Sequence, residues 1–330
     1  MHIGVTGGAG YIGSHVVRDL LADGHSVIVI DNLALGSRLN ILPDGPNYRF
    51  IEGDICRDAD LNRFLETKPD VIFHFAALKA AGVSMHEPLR YADNNVRGTL
   101  KLIKRMFERG CRHFVFSSSA AVYGEPEYLP LDEKHPVHPI NYYGYTKLAI
   151  EQNLRWFSQL IGLRFAALRY FNAAGYDVQG RVAGLEREPN NLLPILMEVA
   201  SGIRPYIEIF GRDYDTPDGT CVRDYIHVSD LSSAHVLAMQ YIVAQDRDLI
   251  VNLGSETGLS VQEMLAMARE VTGHAIPHRD GPRRAGDPPR LVASAGLARE
   301  YLQWSPRHSD LRTLVSSAWK VYQQSKELHN

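Results

Sequence analysis

At 330 residues, with 45% apolar and 22% charged side chains, the chain has material for one large or two medium globular domains. A net charge of −3 gives no electrostatic case for a nucleic acid or an anionic membrane as partner. Cys56, Cys111 and Cys221 lie far apart, with no CxxC pair and no His at ligand spacing, which argues against a disulfide framework and against a metal site.

The chain enters an apolar strand directly after Met1 and His2, so no secretory leader is expected, and no apolar run approaches the ~18 residues of a membrane span. A cytoplasmic protein with reduced thiols is the expectation. Ile3 to Thr6 read as a short buried strand, followed by Gly7-Gly8-Ala9-Gly10-Tyr11-Ile12-Gly13. Tyr11 to Ala22 place Ile12, Val16, Val17, Leu20 and Leu21 at helical spacing, with Gly24 as the stop. Ser26 to Ile30 form a second apolar strand ending at Asp31. Further strands are predicted at Tyr48 to Glu52, Val71 to Phe75, His113 to Ser117 and Arg164 to Arg169, with helices at Asn95 to Glu108 and Tyr143 to Leu160. Strands apolar throughout that alternate with helices predict an α/β fold, a Rossmann-type doubly wound parallel sheet. After Asn172 the texture changes to Gly-, Pro- and polar-rich chain, with a helix near Leu192 to Ser201 and a loop-rich stretch from Arg204 to Val222. Leu249 to Leu253 reads as a late strand that rejoins the first sheet. The expected division is residues 1–171 for the sheet domain and 172–330 mainly for a smaller, interleaved α/β substrate domain.

A glycine-rich turn between a strand and a helix lets backbone amides and the helix N-terminus approach a pyrophosphate. The spacing here is GxxGxxG, and its place directly after a strand gives the string its weight. Asp31, 24 residues after Gly7, ends the second strand, where a carboxylate accepts both ribose hydroxyls and repels a 2′-phosphate; NAD is expected rather than NADP. Asp54 could meet the adenine edge, although alone such a residue is more often part of a turn.

Ser117-Ser118-Ser119 follow a strand, and Tyr143 to Lys147 open a helix with Tyr and Lys on one face at i and i+4. An ammonium there, beside a nicotinamide cation, is expected to lower the phenol from ~10 toward neutrality. The phenolate could then take a proton from a sugar hydroxyl as hydride leaves the same carbon, with Ser119 orienting the oxygen. Tyr142 and Tyr145 lack a Lys four residues on and are read as packing or exposed. His74 is read as a hydrogen-bonded structural histidine, and Lys79 as a cofactor contact.

With these residues in place, the sequence resembles the extended short-chain dehydrogenase/reductases and, within them, the UDP-glucose 4-epimerases. The strings that carry it are Gly7 to Gly13, Asp31-Asn32-Leu33, Phe75 to Ala80, Asn94-Asn95-Val96, Ser117 to Gly124 and Tyr143 to Lys147. Then follow Arg169 to Asn172, Asn190-Asn191-Leu192, Val222 to Tyr225 and Arg283 to Asp287. The resemblance implies that Tyr143 is the base, that Lys147 holds the nicotinamide ribose and that Ser119 bridges to the sugar. It implies NAD bound by Gly7, Gly10, Tyr11, Ile12, Gly13, Asp31, Asn32, Asp54, Ile55, Phe75, Ala76, Ala77, Lys79, Asn95, Ser117 and Tyr170. It implies UDP-sugar bound by Asn172, Asn191, Leu192, Tyr206, Phe210, Arg223, Arg284 and Asp287, the arginines donating to the diphosphate. Oxidation at carbon 4, rotation of the 4-keto sugar and hydride return complete the implied cycle.

Related chemistries remain alternatives. A 4,6-dehydratase needs an Asp-Glu pair after its active-site Thr, and here Ala120 and Ala121 follow Ser119. A UDP-glucuronate epimerase or decarboxylase stays open, and a non-catalytic NAD-sensing module would lack Tyr143 or Lys147. The resemblance further implies a homodimer through the helices at 95–108 and 143–160, and a wall at carbon 2 of the sugar formed by Leu291. In the family a Tyr there restricts turnover to plain hexoses, so Leu291 predicts that N-acetylhexosamines are also accepted.

Overall fold

Seven parallel strands form the large sheet of this computed structural model, which describes residues 1–284 and 287–327. In chain order they are β1 (His2–Thr6), β2 (Ser26–Asp31), β3 (Tyr48–Glu52), β4 (Val71–His74), β5 (His113–Ser119) and β6 (Arg164–Tyr170), and they are rejoined late in the chain by Leu249–Leu253. The spatial order is Leu249–Leu253, β6, β5, β4, β1, β2, β3, so the sheet reverses direction between β1 and β4. That reversal opens a crevice at the strands' carboxyl ends, where such folds bind nucleotides. One face is covered by α1 (Tyr11–Ala22), and the other by α2 (Asp58–Leu65), α5 (Thr99–Glu108) and α6 (Tyr142–Ile161), with α3 (Ala81–His86) and α4 (Pro88–Tyr91) packed against α6. Ile3, Val5, Val16, Leu20, Phe73 and Val115 fill the first core, and Ile28, Phe64, Leu102, Phe114 and Leu154 the second.

The second half begins with β7 (Asn172–Ala174), α7 (Leu192–Ala200), β8 (Ile207–Phe210), β9 (Val222–His227) and α8 (Val228–Gln245), the last packing back against α1. The rejoining strand Leu249–Leu253 is β10, and β11 (Gly258–Ser260), α9 (Val261–Thr272), β12 (His278–Gly281), β13 (Arg290–Leu291), α10 (Gly296–Leu302) and α11 (Leu311–Glu327) complete the chain. β9 is paired on its flanks by β7, β11 and β13, and β8 pairs with β12. Helices α7, α9 and α11 enclose a separate apolar core that includes Leu196, Met197, Met264, Leu265, Leu314 and Tyr322.

Four elements differ from the sequence expectation. β5 and β6 extend to Ser119 and Tyr170, because Ser117, Ser118 and Ser119 pair in register with Leu168, Arg169 and Tyr170 although the serines supply no apolar signal. Ala92–Gly98 winds as a π-helical turn before α5, which sets Asn95 apart from the regular helix. Ile207–Phe210, inside the stretch read as loop, pairs with His278–Gly281.

Candidate active site

Gly7 ends β1 with φ +73°, and a Cβ there would stand 2.6 Å from the Ala76 amide nitrogen; only glycine lets β1 and the segment after β4 approach so closely. The turn delivers Gly10, Tyr11, Ile12 and Gly13 to one cavity wall at the start of α1. Asp31, nearly buried at the end of β2, accepts Leu33 N on Oδ1 at 2.8 Å and Ala9 N on Oδ2 at 3.0 Å. Each carboxylate oxygen keeps a lone pair for a further donor. Burial pushes its carboxyl up, against the pull of the Leu33, Ala9 and Gly10 amides. Asn32, Asp54 and Ile55 line the same cavity, with Asn32 Nδ2 donating to Asp54 Oδ2 at 3.3 Å.

The opposite wall is built by α6. Asn141 caps it, Oδ1 accepting Gly144 N at 2.8 Å. A Cβ on Gly144 would lie 2.3 Å from Ala121 O, so glycine at this point seats the helix start against the turn that follows Ser119. Tyr143 and Lys147 both line the cavity, and Lys147 Nζ donates to Ser117 O at 2.7 Å while lying 5.7 Å from the centre of the Tyr143 ring. Ser119, which accepts Ala121 N at 3.2 Å, is the side chain that draws the Tyr143 phenol down against burial. Ser117 and Tyr170 bond to each other through their hydroxyls on the same wall.

The expected depression of the Tyr143 pKa is not what these side chains produce. Burial raises the phenol to about 12, against the lowering effect of Ser119, and pushes the Lys147 ammonium down to about 7. Lys147 is itself costly to charge here, so the protein alone leaves Tyr143 a phenol at neutral pH. His74 holds hydrogen bonds at both ring nitrogens, to Thr6 Oγ1 and Thr99 Oγ1, each at 2.7 Å. It is neutral, burial taking its pKa down to about 3, and it belongs to the frame.

Two cofactor expectations are altered. Asn95 does not line the cavity; its amide accepts Leu78 N at 2.8 Å and donates to Leu78 O at 2.9 Å and to Thr146 Oγ1 at 3.2 Å. The π-helical turn directs it into the frame and puts Asn94 on the wall instead. Lys79 lines the cavity but is ion-paired with Glu186, a residue the sequence reading passed over. Leu78, Ala34, Leu35, Gly36 and Arg187 were also missed; Leu78 lies inside the string from Phe75 to Ala80 and the next three follow Asp31-Asn32-Leu33, whereas Arg187 had no such signal.

The residues expected to hold UDP-sugar sit outside this cavity, on the strands around β9. Asn172 Nδ2 donates to Asp224 O at 3.0 Å, and Arg223 faces Leu291 across the β9–β13 pairing. Arg223 Nη2 lies 3.5 Å from Asp287 Oδ1, and the Arg284 guanidinium stacks 3.8 Å over the Phe210 ring. Tyr206 carries Arg279 at 4.0 Å, Asn191 precedes α7 without a side-chain cap, and Leu192 is the first residue of that helix. Leu291 packs with Ala120 and Phe171 around Val122, Tyr123 and Leu131, beside the turn that carries Ser119. Ala285 and Gly286, part of the string from Arg283 to Asp287, lie outside the described residues.

Behind the site is a buried network legible only in three dimensions. Glu151, one turn beyond Lys147, accepts Ser118 Oγ at 2.5 Å and Arg169 Nε at 2.9 Å, and Arg169 Nη1 donates to Tyr123 Oη at 3.0 Å. It ties α6 to β5 and β6 two turns beyond Tyr143.

A dinucleotide crevice at a sheet reversal, with Tyr, Lys and Ser on one wall, defines a short-chain dehydrogenase-type protein. Residues 3–254 match the NAD dependent epimerase/dehydratase family, and the chain belongs to it. A UDP-glucose 4-epimerase of Lacticaseibacillus casei is 45% identical over 99% of this chain and 98% of its own length. The crystal structure of the Stenotrophomonas maltophila UDP-glucose-4-epimerase, with bound NAD and formylated UDP-arabinopyranose, superposes with a TM-score of 0.94 at 39% identity over 99% of both chains. The UDP-Glc/GlcNAc 4-epimerase of Campylobacter jejuni superposes with a TM-score of 0.85 at 38% identity, covering 98% of this chain and 99% of that one.

Proposed function

We propose that the chain interconverts UDP-glucose and UDP-galactose by transient oxidation at carbon 4, keeping NAD bound through the cycle. The observation that carries this is that Tyr143 and Lys147, one helical turn apart, line one wall of the dinucleotide cavity, with Lys147 Nζ held by Ser117 O at 2.7 Å. The residues suit NAD: Asp31 offers lone pairs where a 2′-phosphate would be repelled, and the Gly7 turn admits a pyrophosphate without side-chain interference. When bound, NAD supplies hydride transfer at carbon 4 and a positive ring beside the phenol. Tyr143 Oη receives the proton of the carbon 4 hydroxyl and later returns it, and Ser119 orients that oxygen. Lys147, fixed by Ser117 O, holds the ribose and favours the phenolate. Arg223, Arg284 and Asp287, with Asn172, Asn191, Leu192, Tyr206 and Phe210, hold the UDP moiety so that the keto sugar can turn while its anchor stays put. Ala120 and Ala121 offer no second acid or base beside Ser119, which disfavours the dehydratase reading. In this reading residues 1–171 with 249–253 form the cofactor domain, and most of 172–330 forms the substrate domain.

The same account makes the protein a cytoplasmic homodimer. The groove between α5 and α6, lined by Val96, Leu100, Tyr142, Tyr145 and Ala149, suits a self-complementary helical contact. No described helix is long and apolar enough to cross a membrane. Turnover of UDP-galactose by the purified protein, without added NAD, tests the main reading; no product with or without NAD would end it. UDP-N-acetylglucosamine is a further substrate, since Leu291 leaves room beside Ser119 that a Tyr would fill. Leu291→Tyr is expected to lose that substrate by about 10- to 200-fold and to keep UDP-glucose. Equal losses on both substrates would remove Leu291 from the sugar wall.

A further inference from the structure

Residues 175–187 leave β7 and run across α1 to the mouth of the dinucleotide cavity. Their root is fixed: Asp177 N donates to His15 Nε2 at 2.9 Å, and Arg181 Nη2 bridges Asp19 Oδ1 at 2.7 Å and Asp177 Oδ1 at 2.6 Å. Further along, Gly184 N donates to Asn40 Oδ1 at 2.9 Å, and the same Asn40 donates to Ala9 O in the glycine turn at 3.0 Å. Glu186 N donates to the buried Tyr176 hydroxyl at 3.2 Å, and Arg187 Nη1 reaches Leu33 O, two residues beyond Asp31, at 3.4 Å. Glu186 and Arg187 both line the cavity. The strap therefore touches the turn that receives the pyrophosphate and the loop beside the ribose carboxylate.

The Glu186 side chain is only 5% exposed. One carboxylate oxygen pairs with Lys79, while Oε2 is buried and accepts no hydrogen bond from any described residue. A buried carboxylate oxygen without a donor costs about 1–3 kcal/mol or more. That cost is removed when a hydroxyl enters the cavity and donates to it, whereas a phosphate oxygen beside it would be repelled.

We propose that the strap at 175–187 is part of the dinucleotide site: Glu186 Oε2 accepts a ribose hydroxyl of the bound dinucleotide, and the Glu186–Lys79 pair latches the strap so that exchange requires it to open. The proposal rests on the reading of this cavity as the NAD site. It extends that reading to a second carboxylate lining the cavity and explains how the protein retains its cofactor between turnovers.

The test is the rate at which the purified holoprotein exchanges its NAD for isotopically labelled NAD, followed by mass spectrometry. Glu186→Gln keeps an acceptor but removes the charge of the latch, and is expected to exchange about tenfold faster; Glu186→Ala removes both and should be faster still. Glu270→Gln, which breaks the exposed pair with Arg312 on the far helices, is the control and should exchange at the wild-type rate. Exchange by both Glu186 variants within about twofold of wild type, while Asp31→Asn sheds the dinucleotide, would overturn the strap and leave the cavity assignment standing. A wild-type protein that neither carries nor takes up labelled NAD would overturn both.

Discussion

The cofactor cavity and the substrate face are built on different principles. The cavity gathers residues from the ends of β1, β2, β4 and β5 and from one turn of α6, and much of its wall is backbone held by short-range turns. The substrate face draws on β7, the start of α7, β8, β9 and β13, joined by contacts between residues tens of positions apart, such as Arg223 with Asp287. Its charged groups are partly exposed, whereas the network behind the cavity buries an arginine and a glutamate with 3% and 1% exposure. On the proposed reading, the half with the buried ion pair would fix where hydride and proton leave, and the half with partly exposed pairs would hold the nucleotide while the sugar turns.

If the chemistry belongs wholly to the cavity side, Tyr143→Phe should lower epimerisation by about 100- to 10,000-fold while UDP affinity, measured by calorimetry, stays within a few-fold of wild type. A mutant that loses UDP binding and keeps its rate would reverse the assignment of the two regions.

Next in size is the buried pair. Glu151→Gln leaves Arg169 short of a charge partner inside the protein and should cost about 3–5 kcal/mol in urea unfolding. A loss under about 1 kcal/mol would mean that α6 is held to the sheet by packing alone.

The difference between the regions also explains what the sequence disclosed. The glycine turn, Asp31 and the Tyr143–Lys147 pair are local patterns whose spacing states their geometry, and all of them reach one cavity. Asn172, Arg223, Arg284 and Leu291 came only from a resemblance, because no periodicity links β7, β9 and β13. Glu186 was invisible for the same reason: it lies in a Gly- and Pro-rich stretch and finds Lys79 across 107 positions. The Asn94–Asn95 choice failed because a π-helical turn shifts the register of every side chain after it. Spacing also reveals an ammonium beside Tyr143 but not the depth at which both groups are buried, which by itself raises the phenol.

Acid should destabilise the fold. His15, His74, His227 and His235 are buried, with burial taking them down from 6.5 to about 4, 3, 3 and 4 respectively. Because each folded-state value lies below the ordinary one, the unfolded chain takes up these protons first as pH falls. The stability they contribute is whole above about pH 6.5 and is lost as pH falls through the folded values, by at most about 1.4 kcal/mol per pH unit for each histidine. Urea midpoints at pH 7, 6 and 5 check this. A midpoint that does not fall between pH 6 and 5 would show that these groups are not held neutral.

The smallest effect is expected on the substrate side. Asp287 is 38% exposed, so Asp287→Asn should change stability by less than about 1 kcal/mol while raising KM for the UDP-sugar. A large loss of stability would make the Arg223–Asp287 pair part of the frame and blur the contrast between the regions.

The central claim is that the hydrogen taken from carbon 4 is the one put back. UDP-galactose carrying deuterium at carbon 4, converted in ordinary water and analysed by mass spectrometry, tests it directly. The account predicts UDP-glucose that retains the deuterium at carbon 4 in full; deuterium replaced by solvent hydrogen would contradict it.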